Sequence, residues 1–424
     1  MAGDVSNRTG GSTLVPLALR CRACGAAHFH PVLSLGQTPL ANALLSESDL
    51  SHPEPAYPLD VVLCRACTLV QITLSVPPDR LFADYAYFSS FSDAWVAHAE
   101  RLARRLMESR ALTSESLVVE VASNDGYLLQ HYQRAGIPVL GIEPAENIAR
   151  IAEARGINSI VQFFGPDLAR DLRASGLQAH VIHANNVLAH VPDLTGVVCG
   201  FQTLLAPGGV VVVEAPYVRD LIDHGEFDTI YHEHLCYFSL TALVRLFLAQ
   251  SLTIVDVERL PTHGGSLRIF AERTEDEPEV GPSVDRLLQE EAVWGIDRPE
   301  RYDTFASDAE RIRQDLVDFV AASRAAGRRV AAYGAAAKGA TMLNFAGLTS
   351  REIDFVVDRN SHKHGRFMPG AHVPILPVEA LLERQPADTL LLTWNFADEI
   401  LEQQAEYRRR GGRFVVAVPR LEVR

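Results

Sequence analysis

The sequence has little of what marks a secreted, membrane-spanning or nucleic-acid-binding chain. Six cysteines in 424 residues are too few for a disulfide scaffold. No uninterrupted apolar run approaches the ~18 residues that suggest a membrane span. The opening MAGDVSNRTGGSTLVPLALR lacks the basic-then-apolar run of a secretory leader, so a cytoplasmic protein is expected. Positive charge is also scarce: 39 Lys and Arg face 53 Asp and Glu, for a formal charge of −14. That field repels DNA and RNA on average, and no aromatic-basic stripe offsets it. No internal repeat is present. What is there is 47% hydrophobic and 22% charged, as in ordinary globular proteins, and the length calls for two or three domains.

Four of the six cysteines form two Cys-x-x-Cys pairs, Cys21/Cys24 and Cys64/Cys67. Each pair can set two thiolates on one knuckle, and two knuckles complete a tetrahedral site suited to structural zinc. A redox role would want such a pair opening a helix after a strand, and neither pair does. Between the pairs the text is punctuated by Pro and Gly and reads as loop-rich up to about Val76. Cys199 and Cys236 are expected to be free buried thiols.

Downstream the text alternates. A helix over about 92–109, with Ala99, Leu102, Ala103 and Leu106 at helical spacing, precedes LVVEV (117–121), PVLGI (138–142), HVIHAN (180–185) and VVVVEA (210–215). Near-continuous apolar strands separated by helical patterns are what a parallel sheet covered on both faces requires. TIVDVERL (253–260) and LRIFAER (267–273) read as a closing antiparallel pair, and the acidic, proline-bearing 275–283 as a boundary. A helix over about 303–326 opens a second alternation with strands at 329–333, 353–358, 389–393 and 414–418. The expected architecture is α/β: a small metal module (13–80), a first doubly wound domain (81–280) and a second Rossmann-like one (295–424).

In the first α/β domain the turn Glu120-Val-Ala-Ser-Asn-Asp-Gly126 follows a strand and leads into a helix, so a ligand can approach its backbone. Glu143 ends the next strand, where a carboxylate can accept from ribose hydroxyls. LLAPGGVVVVEAP (204–216) has the Pro-Gly-Gly turn that enters a late strand in many methyltransferases. The candidate cofactor contacts are Glu120, Ala122, Ser123, Asn124, Gly126, Glu143, Pro144, Asn185 and Asn186. A dinucleotide-binding dehydrogenase remains an alternative on these residues alone.

Tyr231-His232-Glu233-His234, with His190 after the strand at 180–185, gathers imidazole, carboxylate and phenol, the groups of general acid/base chemistry. Metal binding is the weaker reading, because His-Glu-His lacks the i, i+4 spacing of a helical zinc motif. Tyr85 and Tyr87 in DYAYFSSFS stand where they could close such a site. Gly334-Ala-Ala-Ala-Lys338-Gly339 follows a strand and opens a helix, so its amides can face a phosphate. Asp358, Asn360, Lys363 and Asn395 form a polar rim beside it.

Taken together, EVASNDGYLL (120–129), ANNVLAHVPDL (184–194), FDTIYHEHLCYFS (227–239), HGGSLR (263–268), YGAAAKGATMLN (333–344) and the cysteine pairs resemble the deoxysugar C-methyltransferases that act on dTDP-linked 4-ketosugars. The resemblance runs along nearly the whole chain. It implies a zinc module, a class I methyltransferase domain that binds S-adenosylmethionine, and a Rossmann-like C-terminal domain that helps hold the nucleotide sugar. The family's base matches His234, with Glu233, Tyr231, His190 and Tyr85 in support. Tyr87, His263, Ser266, Gly334, Lys338, Asp358, Asn360, Lys363 and Asn395 are the matching candidates for substrate contact. A 4-keto group acidifies the C3 or C5 proton and stores its charge as an enolate, whose carbon takes the methyl group; C3 is the expected position. A small-molecule O- or N-methyltransferase of the same fold, and an enzyme that also reduces the ketone, are the competing readings.

Overall fold

A computed structural model describes residues 19–77 and 89–424, without the side chains of Phe91 and His263. The first sheet is antiparallel, in the order β1 (Phe29–Thr38), β2 (Tyr57–Cys64), β3 (Val70–Ile72) and β9 (Cys236–Tyr237). The segment read as loop-rich is therefore largely sheet. Pro31 and Gly36, which suggested loops, fall at the two register shifts of the β1–β2 ladder, and bulges are where strands tolerate such residues. Cys236 lies in β9 and pairs with Gln71 across the ladder, so a strand from far along the chain closes the metal module. It is buried as expected, whereas Cys199 is only half-buried.

The second sheet has the order β10-β11-β8-β7-β4-β5-β6. Its members are β4 (Val118–Val121), β5 (Val139–Ile142), β6 (Ser159–Ile160), β7 (Ala179–Asn185), β8 (Leu205–Pro216), β10 (Leu252–Leu260) and β11 (Ser266–Arg273). β4 to β8 run parallel, and β11 inserts antiparallel between β8 and β10. This is the class I methyltransferase order, with its switch point between β4 and β7, where a ligand crevice forms beyond the strands' carboxyl ends. The helix Asp93–Ser109 packs on one face through Ala99, Leu102, Ala103 and Leu106, the four residues its periodicity selects.

The third sheet has the order β14-β13-β12-β15-β16-β17, from β12 (Val330–Tyr333), β13 (Val356–Val357), β14 (Ile375–Leu376), β15 (Asp388–Leu391), β16 (Arg413–Val416) and β17 (Glu422–Val423). Only β17 is antiparallel to its neighbour. The long helix, expected over 303–326, runs Glu300–Ala325. Ahead of it lies the helix Pro282–Trp294, in and just beyond the stretch read as a boundary; its proline occupies the first turn, where a missing N–H costs nothing. Its buried Glu291 accepts from the amides of Leu240 and Thr241 at 2.7 and 2.8 Å, which locks it to the second sheet's helices. One apolar core runs through Val61, Val119 and Val330 of all three sheets.

Candidate active site

The four cysteine sulfurs lie within 4.8 Å of one another, with Cys21 Sγ to Cys67 Sγ at 3.4 Å and Cys24 Sγ to Cys64 Sγ at 3.6 Å. Sulfurs at the corners of a tetrahedron with bonds of about 2.3 Å to zinc stand about 3.8 Å apart, so the donor set fits that ion. The two knuckles are alike: the amides of Gly25 and Thr68 bond back to the carbonyls of Cys21 and Cys64 at 2.8 and 2.9 Å. Both closing residues have positive φ, 73° and 66°.

The turn after β4 is wound by three residues of positive φ, Ala122 at 51°, Asn124 at 50° and Gly126 at 79°. A Cβ on Gly126 would lie 2.3 Å from Ile157 Cδ1, so glycine is needed there for conformation and for space. Glu143, at the end of β5, accepts from the amides of Asn124 and Ala145, both at 2.9 Å. Each carboxylate oxygen keeps a second lone pair, which suits a ribose diol. Ser123 Oγ and Asn185 Oδ1, after β4 and at the end of β7, are buried polar atoms with no partner among the described residues, as expected of groups that await a ligand. The turn therefore fits S-adenosylmethionine. Glu120 faces inward at 1% exposure; burial, then the charges of Glu143 and Asp125, push its carboxyl well above the usual range. Its Oε2 is a further buried oxygen with no partner among the described residues. Pro144 adjoins Glu143, and Asn186, at φ 57°, turns the chain away from β7.

The acid/base cluster is assembled from two loops. His190 follows β7, and the amide of Leu235 ties that loop to the Tyr231–His234 segment by donating to the carbonyl of Ala189 at 2.6 Å. The rings of Tyr231, His234 and His190 then meet, with centroids 4.0 Å apart for Tyr231–His234 and 4.8 Å for His190–His234. His234 Nδ1 lies 3.0 Å from the carbonyl of Thr229. A carbonyl can only accept, so Nδ1 carries the proton and Nε2 offers its lone pair to the Tyr231 hydroxyl at 2.8 Å. Burial pulls His190 down to about 4, so it is neutral at ordinary pH.

The carboxylate expected to orient His234 does not do so. Glu233 turns toward the metal module, where Asn42 Nδ2 donates to its Oε1 at 2.7 Å. His232 also faces that module, 3.3 Å from the carbonyl of Pro58. Two partners were missed in the sequence: the Thr229 carbonyl, which no side-chain motif can reveal, and Asn42. Burial pushes Glu233 up to about 7. Because this pKa is raised above its unfolded value, the associated stability is present below about pH 4.5 and is lost as pH rises through about 7. Glu233→Gln should therefore gain stability over wild type as pH rises from 5 to 7 and level off above that, by at most about 3.4 kcal/mol, seen as a widening gap in melting temperature. A pH-independent difference in melting temperature would show that Glu233 does not titrate in this range.

On the third sheet Gly334 has φ 96°, and the amide of Ala335 beside it donates to Asp358 at 2.8 Å. Lys363 bonds the Ala335 carbonyl at 2.8 Å, and Asn360 caps its own turn through the amide of His362 at 3.0 Å. Lys338 donates to Asn395 at 2.9 Å. These candidates are thus brought together in two small clusters at the carboxyl ends of β12, β13 and β15. Ser266 opens β11 and donates to the carbonyl of Thr262 at 3.0 Å. Tyr85, Tyr87 and the side chain of His263 lie outside the described residues. No helix among the described residues is long and apolar enough to cross a membrane.

Family models match three consecutive stretches: a zinc binding domain over 21–82, a methyltransferase domain over 95–257 and a C-methyltransferase C-terminal domain over 261–419. The C-methyltransferase NovU of Streptomyces niveus is 38% identical over 399 residues, 94% of this chain and 95% of that one. A ubiquinone biosynthesis O-methyltransferase of Ralstonia nicotianae is 27% identical over 139 residues, 29% of this chain and 58% of that one. Among solved structures, magnesium protoporphyrin IX methyltransferase of Synechocystis with bound SAH superposes at TM-score 0.35 and 16% identity, covering 46% of this chain and 91% of that one. The fold assignment rests on the strand order, not on that superposition.

Proposed function

Because this chain belongs to the C-methyltransferase family and is an S-adenosylmethionine-dependent C-methyltransferase with a structural zinc site, we propose that it methylates a dTDP-linked 4-keto deoxysugar at C3, in the cytoplasm. The observation that carries this reading is the placement of His234, with Nδ1 3.0 Å from the Thr229 carbonyl and Nε2 2.8 Å from the Tyr231 hydroxyl. Bound over Ser123–Gly126 with its ribose on Glu143, S-adenosylmethionine supplies an electrophilic methyl group.

The protein's own task is to make a carbon nucleophile. His234 Nε2 takes the proton from the carbon beside the ketone, and the C–H electron pair moves into the ring to leave an enolate. Tyr231, released from Nε2 as that nitrogen is protonated, donates to the enolate oxygen, with neutral His190 beside it. General-base assistance of this kind is worth about 10²–10⁴-fold, and a fixed oxyanion donor about 10²–10³ more. Tyr85 and Tyr87 would close the site. The nucleotide diphosphate would lie along the C-terminal domain, where Lys363, with Gly334, Asp358 and Asn360 around it, supplies a cation beside the glycine turn. Lys338 and Asn395 flank the same sheet end, and His263 and Ser266 the sugar side.

A panel of dTDP-4-ketosugars, incubated with enzyme and S-adenosylmethionine, tests the reading by mass. Gain of one methyl that survives hydrolysis of ester and ether linkages supports it; methylation confined to hydroxyl or amino acceptors would overturn it. Separately, Glu143→Ala should weaken S-adenosylhomocysteine binding about tenfold or more in calorimetry, since it removes an acceptor of about 1.4 kcal/mol or more. Unchanged affinity would move the ribose contact elsewhere.

A further inference from the structure

The segment that carries the base is gripped from outside its own sheet. Phe227–Thr229 form a short 3-10 turn, followed by Ile230 and then Tyr231. Trp394 Nε1 donates to Asp228 Oδ2 at 2.7 Å. Thr341 Oγ1 donates to the carbonyl of Ile230 at 3.1 Å, and the Phe227 ring lies 5.2 Å from that of Phe345. Lys338 Nζ sits 4.3 Å over the Trp394 ring, and its charge faces Asp228 and Glu226. Asp228 is fully buried at 0% exposure and Glu226 nearly so at 4%.

Every one of these outside groups comes from two places, the helix Ala337–Ala346 after β12 and the turn Trp394–Phe396 after β15. β12 and β15 are the neighbours at which the third sheet's strand order reverses. In an open α/β sheet that reversal opens the ligand crevice. Here a segment of the methyltransferase domain packs against it. The grip falls on the residues that flank the Thr229 carbonyl, Asp228 before it and Ile230 after it, and that carbonyl receives His234 Nδ1–H.

We propose that Trp394 and Thr341 are positioning residues for the base: by holding Asp228 and Ile230 they fix the Thr229 carbonyl, and through it the tautomer and aim of His234. The C-terminal domain thus completes the acid/base site and is more than a platform for nucleotide. The inference rests on His234 being the base, so its test reads the imidazole itself as well as turnover.

The experiment compares wild type with Trp394→Phe, which keeps the ring and removes the donor, with Thr341→Val, which keeps the shape, and with the double variant. Nitrogen-15 histidine spectra, with His234 assigned by its loss in His234→Asn, report the tautomer directly. The double variant should shift His234 from pure Nδ1–H toward a mixture. Its kcat on the dTDP-ketosugar should fall about 10–100-fold, the scale of a misplaced catalytic group, while KM and S-adenosylhomocysteine affinity stay within about twofold. The single variants should show smaller shifts in the same direction, and they decide the matter if the double variant does not fold. Unaltered His234 signals in the folded variants, or a loss confined to KM, would overturn the proposal. An altered tautomer with undiminished kcat would instead leave the grip standing and remove His234 as the base.

Discussion

His234→Asn should lower kcat for methyl transfer by about 10²–10⁴-fold, the usual worth of a general base, with little change in S-adenosylhomocysteine affinity. Asparagine fills similar space and can still donate to the Thr229 carbonyl, but its amide cannot take up a proton. The chemical step can be isolated from methyl transfer. With S-adenosylhomocysteine in place of the donor, wild-type enzyme in D₂O should wash deuterium into the position beside the ketone, because deprotonation does not require a methyl acceptor step. His234→Asn should lose exchange and methylation together. Glu143→Ala, which touches only the cofactor side, should lose methylation more than exchange. Near-wild-type methylation by His234→Asn would pass the role of base to another residue, with Glu233 and His190 next in line. Of these, His190 has the better position, since its ring already meets that of His234 while Glu233 points at Asn42.

Removing the zinc should have the larger structural effect. Cys64 is fully buried at 0% exposure and ends β2, so Cys64→Ser should strip the metal and unfold the first sheet. Structural zinc contributes about 10–16 kcal/mol of apparent binding energy in small domains, more than a short four-stranded sheet can replace from its own core. Activity should go with it, because β9 of that sheet directly continues the Tyr231–His234 segment, and Asn42 of the module holds Glu233. The cofactor crevice belongs to the second sheet, so S-adenosylhomocysteine binding should survive. Metal analysis, limited proteolysis around residues 20–76 and calorimetry read the three consequences separately. About one zinc per chain is expected in wild type and almost none in the variant. Full metal content and an unchanged melting temperature in Cys64→Ser would exclude the quartet as the site. Loss of zinc with methylation intact would break the link between the module and the catalytic segment.

Much of this could be read along the chain because the relevant physics is local. Apolar runs such as LVVEV and HVIHAN dictate buried parallel strands, and the spacing of Ala99, Leu102, Ala103 and Leu106 dictates one helical face. Two Cys-x-x-Cys knuckles make a thiolate site wherever the chain brings them together, and a turn holding Asn124 and Gly126 with Glu143 at the end of the next strand reads as a ligand turn within one local stretch of chain. Where reading failed, the deciding partner was distant. The first sheet looked like loop because Pro31 and Gly36 were weighed without the ladder that turns them into bulges. Its fourth strand lies 164 residues after Ile72 (236 against 72), a pairing no local pattern announces.

The catalytic cluster divides the same way. Its residue types stood together in Tyr231-His232-Glu233-His234, and residue chemistry alone leaves acid/base work, metal binding or structural bonds. Which of the four face one another was decided in space. The segment sends Tyr231 and His234 toward His190, and sends His232 and Glu233 into the metal module. The partner of His234 Nδ1, the proposed base's second nitrogen, is a backbone carbonyl, a group every residue has and no sequence distinguishes. The residues on either side of it, Asp228 and Ile230, are bonded by Trp394 and Thr341, from a turn and a helix beside the third sheet. Composition and periodicity record how a residue relates to its near neighbours and to water; a hydrogen bond across more than a hundred residues exists only once the core has closed and fixed the distance.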